Sequence, residues 1–291
     1  MQLFTVQITL MKKILILILT FFISTAVNAK DLSEFFSNLL PGEGLTEASV
    51  EIRDHEKPDF NILAVRDIDL QENSNLFTQF GIHNSEVMND ERLIGNLGIG
   101  YRSLNNDKTM MYGVNAFYDT DLTEGHQRGS IGFELRGKVV DFNFNQYVKL
   151  TNQKVISGTK EQVLSGTEYN LTTQVPYTPW ANFNLQGYNH DNELAANNQK
   201  GRIYSLEMVL TPSIQFDISE DHSSVSGVED VQTAKLTYVY PPRENKTSLQ
   251  DGVSSSQMFV AGNVEDKLKE KVRRNNNLVV EIQGAVIFTK K

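Results

Sequence analysis

The chain has 291 residues, a formal net charge of −9 and no cysteine. An acidic balance argues against a nucleic-acid partner, and a chain without cysteine is held by hydrogen bonds and packing with no disulfide to help. The 40% of hydrophobic residues is low for helices in lipid but suits strands that show lipid only at every second residue.

After an unusual stretch from Met1 to Leu10, the sequence reads Met11-Lys12-Lys13 and then runs apolar from Ile14 to Ile23. A positive start, a short apolar run and the small-residue site Val27-Asn28-Ala29 predict a signal peptide over 1–29, with Met11 the expected start and Lys30 the mature end. The apolar run is too short to span a bilayer comfortably, and no later stretch reads as a transmembrane helix. Over residues 30–43, Leu32, Phe35, Phe36, Leu39 and Leu40 share one face of a short helix that Pro41-Gly42 stops. This segment is read as a periplasmic lead-in.

From 44 to 242 the pattern has period two, the signature of strands with opposite faces in opposite surroundings. In one strand Tyr112, Val114 and Tyr118 oppose Gly113, Asn115 and Phe117; in the next Ile131, Phe133 and Leu135 oppose Gly132, Glu134, Arg136 and Lys138. Outward stripes recur, among them Phe60-Ile62-Ala64, Leu93-Leu97-Ile99-Tyr101, Phe142-Phe144-Val148-Leu150 and Ala234-Leu236-Tyr238-Tyr240. Their partners include Asn96, Asn115, Glu134, Arg136, Asn143, Asn145, Lys149, Gln174, Glu207, Asp217 and Lys235. Such residues are costly in a dry core and ordinary in a wet or plugged lumen. Tight turns (Leu70–Ser74, Asn105-Asn106-Asp107, Val139–Asp141, Thr178-Pro179-Trp180, Thr211-Pro212-Ser213) alternate with long polar connections at 152–165, 192–200 and 219–230. With the export signal, this predicts an all-β fold: a transmembrane antiparallel β-barrel of about twelve strands in the bacterial outer membrane, short turns periplasmic and long loops outside. Tyr101, Tyr112, Tyr118, Tyr177, Trp180, Tyr238 and Tyr240 fall near strand ends, as interfacial aromatic girdles do.

Pro241-Pro242 cannot extend a central strand, so a separate segment is expected over 243–291. Val264, Leu268 and Val272 recur every fourth residue, with acids early and bases late, which predicts a helix. Asn275-Asn276-Asn277 stops it, and Leu278 to Phe288 reads as extended.

Three constellations invite chemistry. Asp221-His222-Ser223 has the residue types of a catalytic triad, but a triad is made by geometry, not adjacency. His126 lies near Asp119, Asp121 and Glu124, a grouping without the spacing of a calcium loop that reads as a solvated external turn. His55, His83 and His190 stand alone. No catalytic, metal or cofactor site is expected.

The chain resembles the β-domain of inverse autotransporters, the intimin/invasin family, at three places. Leu97-Gly98-Ile99-Gly100-Tyr101-Arg102 followed by Gly113-Val114-Asn115-Ala116-Phe117-Tyr118-Asp119-Thr120-Asp121 is similar to the family's LGxGxR and GxNxFxDxD strands. Gly125-His126-Gln127-Arg128-Gly129-Ser130-Ile131-Gly132-Phe133-Glu134 is similar to its GHxRxGxGxE strand. Arg274-Asn275-Asn276-Asn277-Leu278-Val279-Val280-Glu281 is similar to its RNNNIxLEY linker, with Ile282 at the position where an aromatic is usual. The resemblance implies a barrel that anchors and exports a C-terminal adhesin passenger, with the chain re-entering the pore. Glu265, Lys269, Arg273 and Arg274 would plug the lumen, Asn275, Asn276, Asn277 and Glu281 would thread outward, and Glu134, Arg136 and Lys149 would face the plug, with Asn115 on the same lumen wall. Because Ig-like repeats do not follow, the passenger is expected to be absent from this sequence, lost or separately encoded. The implied partners are outer-membrane lipid, periplasmic chaperones and the barrel-assembly machinery. A plain porin needs the same strands and no plug; the helical spacing at 264–272 argues against it.

Overall fold

Each alternating run becomes a strand in a computed structural model that describes residues 42–54, 57–87, 90–225, 228–243 and 245–283. The signal peptide and nearly all of the lead-in lie outside the described residues. The strands are β1 (Gly44–Arg53), β2 (Asp59–Gln71), β3 (Ser74–Val87), β4 (Asp90–Leu104), β5 (Met110–Asp121), β6 (Gln127–Gly137) and β7 (Val140–Lys149). A small hairpin, β8 (Lys154–Ile156) and β9 (Thr159–Val163), precedes β10 (Gly166–Val175), β11 (Thr178–His190), β12 (Gln199–Thr211), β13 (Ile214–Ser223) and β14 (Val231–Tyr240). Near the C-terminus comes β15 (Val280–Ile282).

All strands but β8, β9 and β15 form one closed antiparallel barrel of 12 strands, each bonded to its sequence neighbours and β14 returning to β1. Closure leaves no strand edge for lipid to desolvate. The side-chain distribution is inverted relative to a soluble protein. Ile131 is 65% exposed, whereas Arg102, Arg128 and Asn75 are 0% exposed. Large apolar side chains such as Phe60, Leu97, Ile99, Val114 and Val148 cover the outside, and the buried polar set includes Asn96, Glu134, Arg136, Asn143 and Asn145. A bilayer outside and a polar filled lumen inside stabilise that arrangement; water outside would not. Ala64, Ala234 and Leu236 share the outward parity but are buried.

The two rims differ as the turn pattern predicts, although the β4–β5 connection takes five residues, 105–109, where the sequence suggests three, Asn105-Asn106-Asp107. β2–β3, β6–β7, β10–β11 and β12–β13 are joined by two residues each, 72–73, 138–139, 176–177 and 212–213. The β10–β11 turn is Pro176-Tyr177 rather than Thr178-Pro179-Trp180, which begin β11; Tyr177 takes the positive φ of 60° that this tight reversal requires. Exposed Tyr101, Tyr112 and Tyr177 sit at the short-turn rim and exposed Tyr118, Tyr169 and Tyr204 toward the opposite one. The expected polar loop at 152–165 is instead the β8–β9 hairpin. Its turn, Ser157-Gly158, has φ of 51° and 83°, the pair of positive values that a two-residue hairpin turn uses.

Candidate functional site: the threaded lumen

From Tyr240 the chain leaves β14 and runs under the short-turn rim. Arg243 N–H donates to Pro212 O (3.0 Å), Ser255 N–H donates to Tyr177 O (2.8 Å), and Trp180 Nε1–H donates to Val253 O (2.9 Å). It enters the barrel beside the β4–β5 turn, where Val264 N–H donates to Lys108 O (2.8 Å). It emerges at the long-loop rim as β15, paired with β9 through Val280–Val163, Glu281–Gln162 and Ile282–Glu161. Residues 264–283 therefore form a thread through the lumen.

The thread is not the helix that its spacing predicts. Only Glu265–Leu268 form a single 3₁₀ turn. Val264, Leu268 and Val272 are all buried, so the apolar positions seat as the spacing suggests, but the backbone finds partners elsewhere. Asn75 and Arg102 donate to Leu268 O (3.0 and 3.1 Å), and Arg102 also reaches Glu270 O. Val272 N–H donates to Gln79 Oε1 (2.8 Å), Asn145 donates to Arg273 O (3.0 Å) and Asn96 donates to Asn276 O (2.9 Å). Asn275 donates its N–H to the Tyr147 hydroxyl (2.9 Å) and accepts at its carbonyl from Arg128 (2.9 Å). A buried backbone must be satisfied somewhere. Here side chains on β3, β4, β6 and β7 replace the intrahelical ladder.

The three sequence motifs meet at one point. Register places Asn96 opposite Asp119 and Asp119 opposite Arg128. The Asp119 carboxylate accepts from Asn96 (2.8 Å), from Arg128 (2.8 and 3.0 Å) and from both terminal nitrogens of Arg274 (3.0 and 2.5 Å). Arg274 stacks on the Phe117 ring at 4.2 Å, and Arg128 on Tyr147 at 4.1 Å. The motif glycines make room for these stacks. A Cβ at Gly98 would lie 2.3 Å from the Phe117 ring, and one at Gly100 would lie 2.4 Å from Phe77, on which Arg102 stacks at 4.2 Å. Arg102 then reaches past Gly113 to Glu134 (2.8 Å), where a Cβ would meet Glu134 Oε2 at 2.8 Å.

Each predicted residue can now be placed. Arg136 bridges Asp141 (3.2 Å) and Glu270 on the thread. Glu134 holds Arg102 and so acts on the thread at one remove. Asn115 faces inward, packed against the position of Gly132, and its amide has no hydrogen-bond partner among the described residues. Lys149, where β7 reaches the long-loop rim, pairs with Glu193 of the β11–β12 loop, whose N–H is held by Glu281 of the thread. On the thread, Glu265 pairs with Lys108 (2.5 Å), exposed Lys269 lies 3.7 Å from Asp67, and Arg273 forms a two-pronged pair with Glu207. Asn276 accepts from Arg274 (2.9 Å), and Asn277 meets His83. At the exit, the Glu281 carboxylate accepts the backbone N–H groups of Glu193, Leu194 and Ala195 (2.8, 2.8 and 2.5 Å).

The other constellations dissolve. Asp221, His222 and Ser223 are consecutive strand residues, not a loop, and alternate in direction. Asp221 accepts from Tyr188 (2.9 Å), while His222 pairs with Asp230 (2.8 Å). Asp119 and Asp121 are not a solvated turn; both are buried and engaged by arginines, Asp121 by Arg92 (3.3 Å). His126 is fully buried 3.2 Å from Glu161. Glu161 was not singled out in the sequence, yet it pins the hairpin to the rim through Arg92 (2.7 Å) and His126. Burial pushes its carboxyl up, but hydrogen bonds and charge from Arg92 and His126 outweigh that and hold it at about 2, below its ordinary 4.5. A depressed folded-state value stabilises above the ordinary one and is lost as pH falls through the window from about 4.5 to 2. Amide-exchange protection in β8–β9, corrected for intrinsic rates, should therefore drop over that window, and Glu161→Gln should flatten the dependence.

Comparison with known proteins agrees with this geometry. Residues 30–276 match the family model of the inverse autotransporter beta-domain. The chain is 37% identical over 76 residues to the inverse autotransporter adhesin YeeJ of Escherichia coli K12, covering 26% of this chain and 3% of that protein. It is 34% identical over 79 residues to an attaching and effacing protein homolog of the same strain, covering 27% of this chain and 25% of that protein. A structure solved in a study of in-meso crystallization of membrane proteins superposes with a TM-score of 0.67 at 18% identity, over 82% of this chain and all of that one. The matched stretches span a quarter or less of the two curated relatives. The chain belongs to the inverse autotransporter β-domain family and is an outer-membrane anchor and translocation barrel.

Proposed function

We propose that this barrel exports and displays whatever polypeptide follows its thread, and that residues 264–283 are the part of the chain held in the pore after passage. The observation that supports this most directly is the set of barrel side chains bonded to successive backbone groups of residues 268–276. The segment runs from the short-turn rim to the long-loop rim, which in such barrels is from periplasm to outside. Arg273, Arg274 and Asn275 to Asn277 fix its register, Lys269 and Glu265 work near the entry, and Glu281 fixes the exit. Outer-membrane lipid, periplasmic chaperones and the barrel-assembly machinery are the partners this reading requires. An open porin is the weaker reading, since a porin lumen needs no bonded chain inside it.

The test is an epitope joined after Lys291 in cells making the full chain. Antibody should label intact cells, and Glu281→Ala together with Arg274→Ala should reduce labelling. Labelling only after the outer membrane is permeabilised would defeat the export reading.

A further inference from the structure

The thread hugs one side of the lumen. Most of its backbone bonds go to β3, β4, β6 and β7, and two polar cavities flank it, the larger against β1, β2 and β10 to β14 and the smaller between β6–β7 and β10–β11. The larger, about 270 Å³, sits toward the long-loop rim and is lined by Glu168 and Asn170 of β10 and by Asn184 and Gln186 of β11. The smaller, about 60 Å³, sits toward the short-turn rim and is lined by Thr172 and Gln174 of β10 and by Asn182 of β11. Both exceed the space one water needs, and both have polar walls. The two sets follow one another along the same inward faces of the same two strands, so the cavities are two stretches of one polar track.

Among the described residues only Arg273 lines both cavities. Its guanidinium is clamped by both oxygens of Glu207, which stands opposite Asn182 across β11–β12. We propose that the Arg273–Glu207 pair is a septum that closes a latent water and ion path beside the thread, and that breaking it opens the path while Arg274, Asn275 and Glu281 still hold the thread in register. Removing Arg273 both vacates the neck and leaves a carboxylate there, so the opened path takes cations in preference to anions. The idea rests on the thread occupying the lumen, as proposed above.

The test uses the full chain in planar bilayers, with folding checked by migration on unheated gels. The native chain should conduct little. Arg273→Ala should raise conductance several-fold with cation preference, and Arg273→Gln, which keeps a polar side chain for folding, should raise it less. Arg273→Ala with Glu207→Gln should keep the conductance and lose the preference. The sequence has no cysteine, so Asn182→Cys offers a clean second probe. A charged thiol reagent added from the long-loop side should modify it in the Arg273→Ala background and not with Arg273 present. Folded variants that conduct like the native chain, with the thiol shielded in both backgrounds, would overturn the septum and leave the thread intact. A native chain that already passes wide-pore currents would overturn both.

Discussion

Asp119→Ala should destabilise the folded barrel by about 3–5 kcal/mol, the range seen when one member of a buried ion pair is removed. Asp119 is fully buried and serves Arg128 from the wall and Arg274 from the thread at once. Without it two guanidiniums face each other in the lumen with their shared carboxylate gone. Their stacking on Tyr147 and Phe117 is worth about 2 kcal/mol each when desolvated and is already present in the native barrel, so it does not offset the loss. Arg274→Ala should cost less, because Asp119 keeps Arg128. Urea titration in phospholipid vesicles, with the folded fraction read on unheated gels, ranks the two. Equal losses would mean that Arg128 and Asp119 do not depend on each other as the geometry requires.

Gly98→Val should have the next largest effect. Its side chain would enter the space of the Phe117 ring, which a Cβ alone approaches to 2.3 Å. Overpacking of this kind costs about 1–3 kcal/mol, and displacing the ring also removes the seat of Arg274. The milder Gly98→Ala, combined with Phe117→Leu, separates the two effects. Leucine relieves the clash but cannot stack, so the double variant should be less destabilised than the sum of the singles. Additive losses in the same urea titration would show that glycine and ring act independently.

The barrel was legible because period two survives any tertiary context: one face must suit lipid and the other must not. Strand count, order and rim asymmetry followed from that. The thread was legible only in part. Val264, Leu268 and Val272 do bury as their spacing implies, but spacing of four describes a helix only if the segment supplies its own backbone partners. Asn75, Gln79, Asn145 and Arg102 come from strands 128–193 residues away in sequence, and no local pattern shows that they will compete for those groups. Asp119 and His126 were misread for the opposite reason. Their local sequence, rich in acids and glycine, looks like a wet turn, whereas Asp119 is turned inward against Arg128 and Arg274 and His126 is buried against Glu161. The β8–β9 hairpin carried a usable signal, since Ser157-Gly158 between Ile156 and Thr159 has the composition of a tight reversal.

Where wall side chains bond the thread's backbone, most of the bonds end on carbonyls, at Leu268, Glu270, Arg273, Asn275 and Asn276. Every amino acid carries that group, so a grip of this kind is indifferent to composition and is re-formed whenever the strand slides by a repeat. On the export reading proposed above, such a wall would serve as a bearing for moving polypeptide, and the side-chain pairs, such as Arg274 with Asp119, would set where it rests.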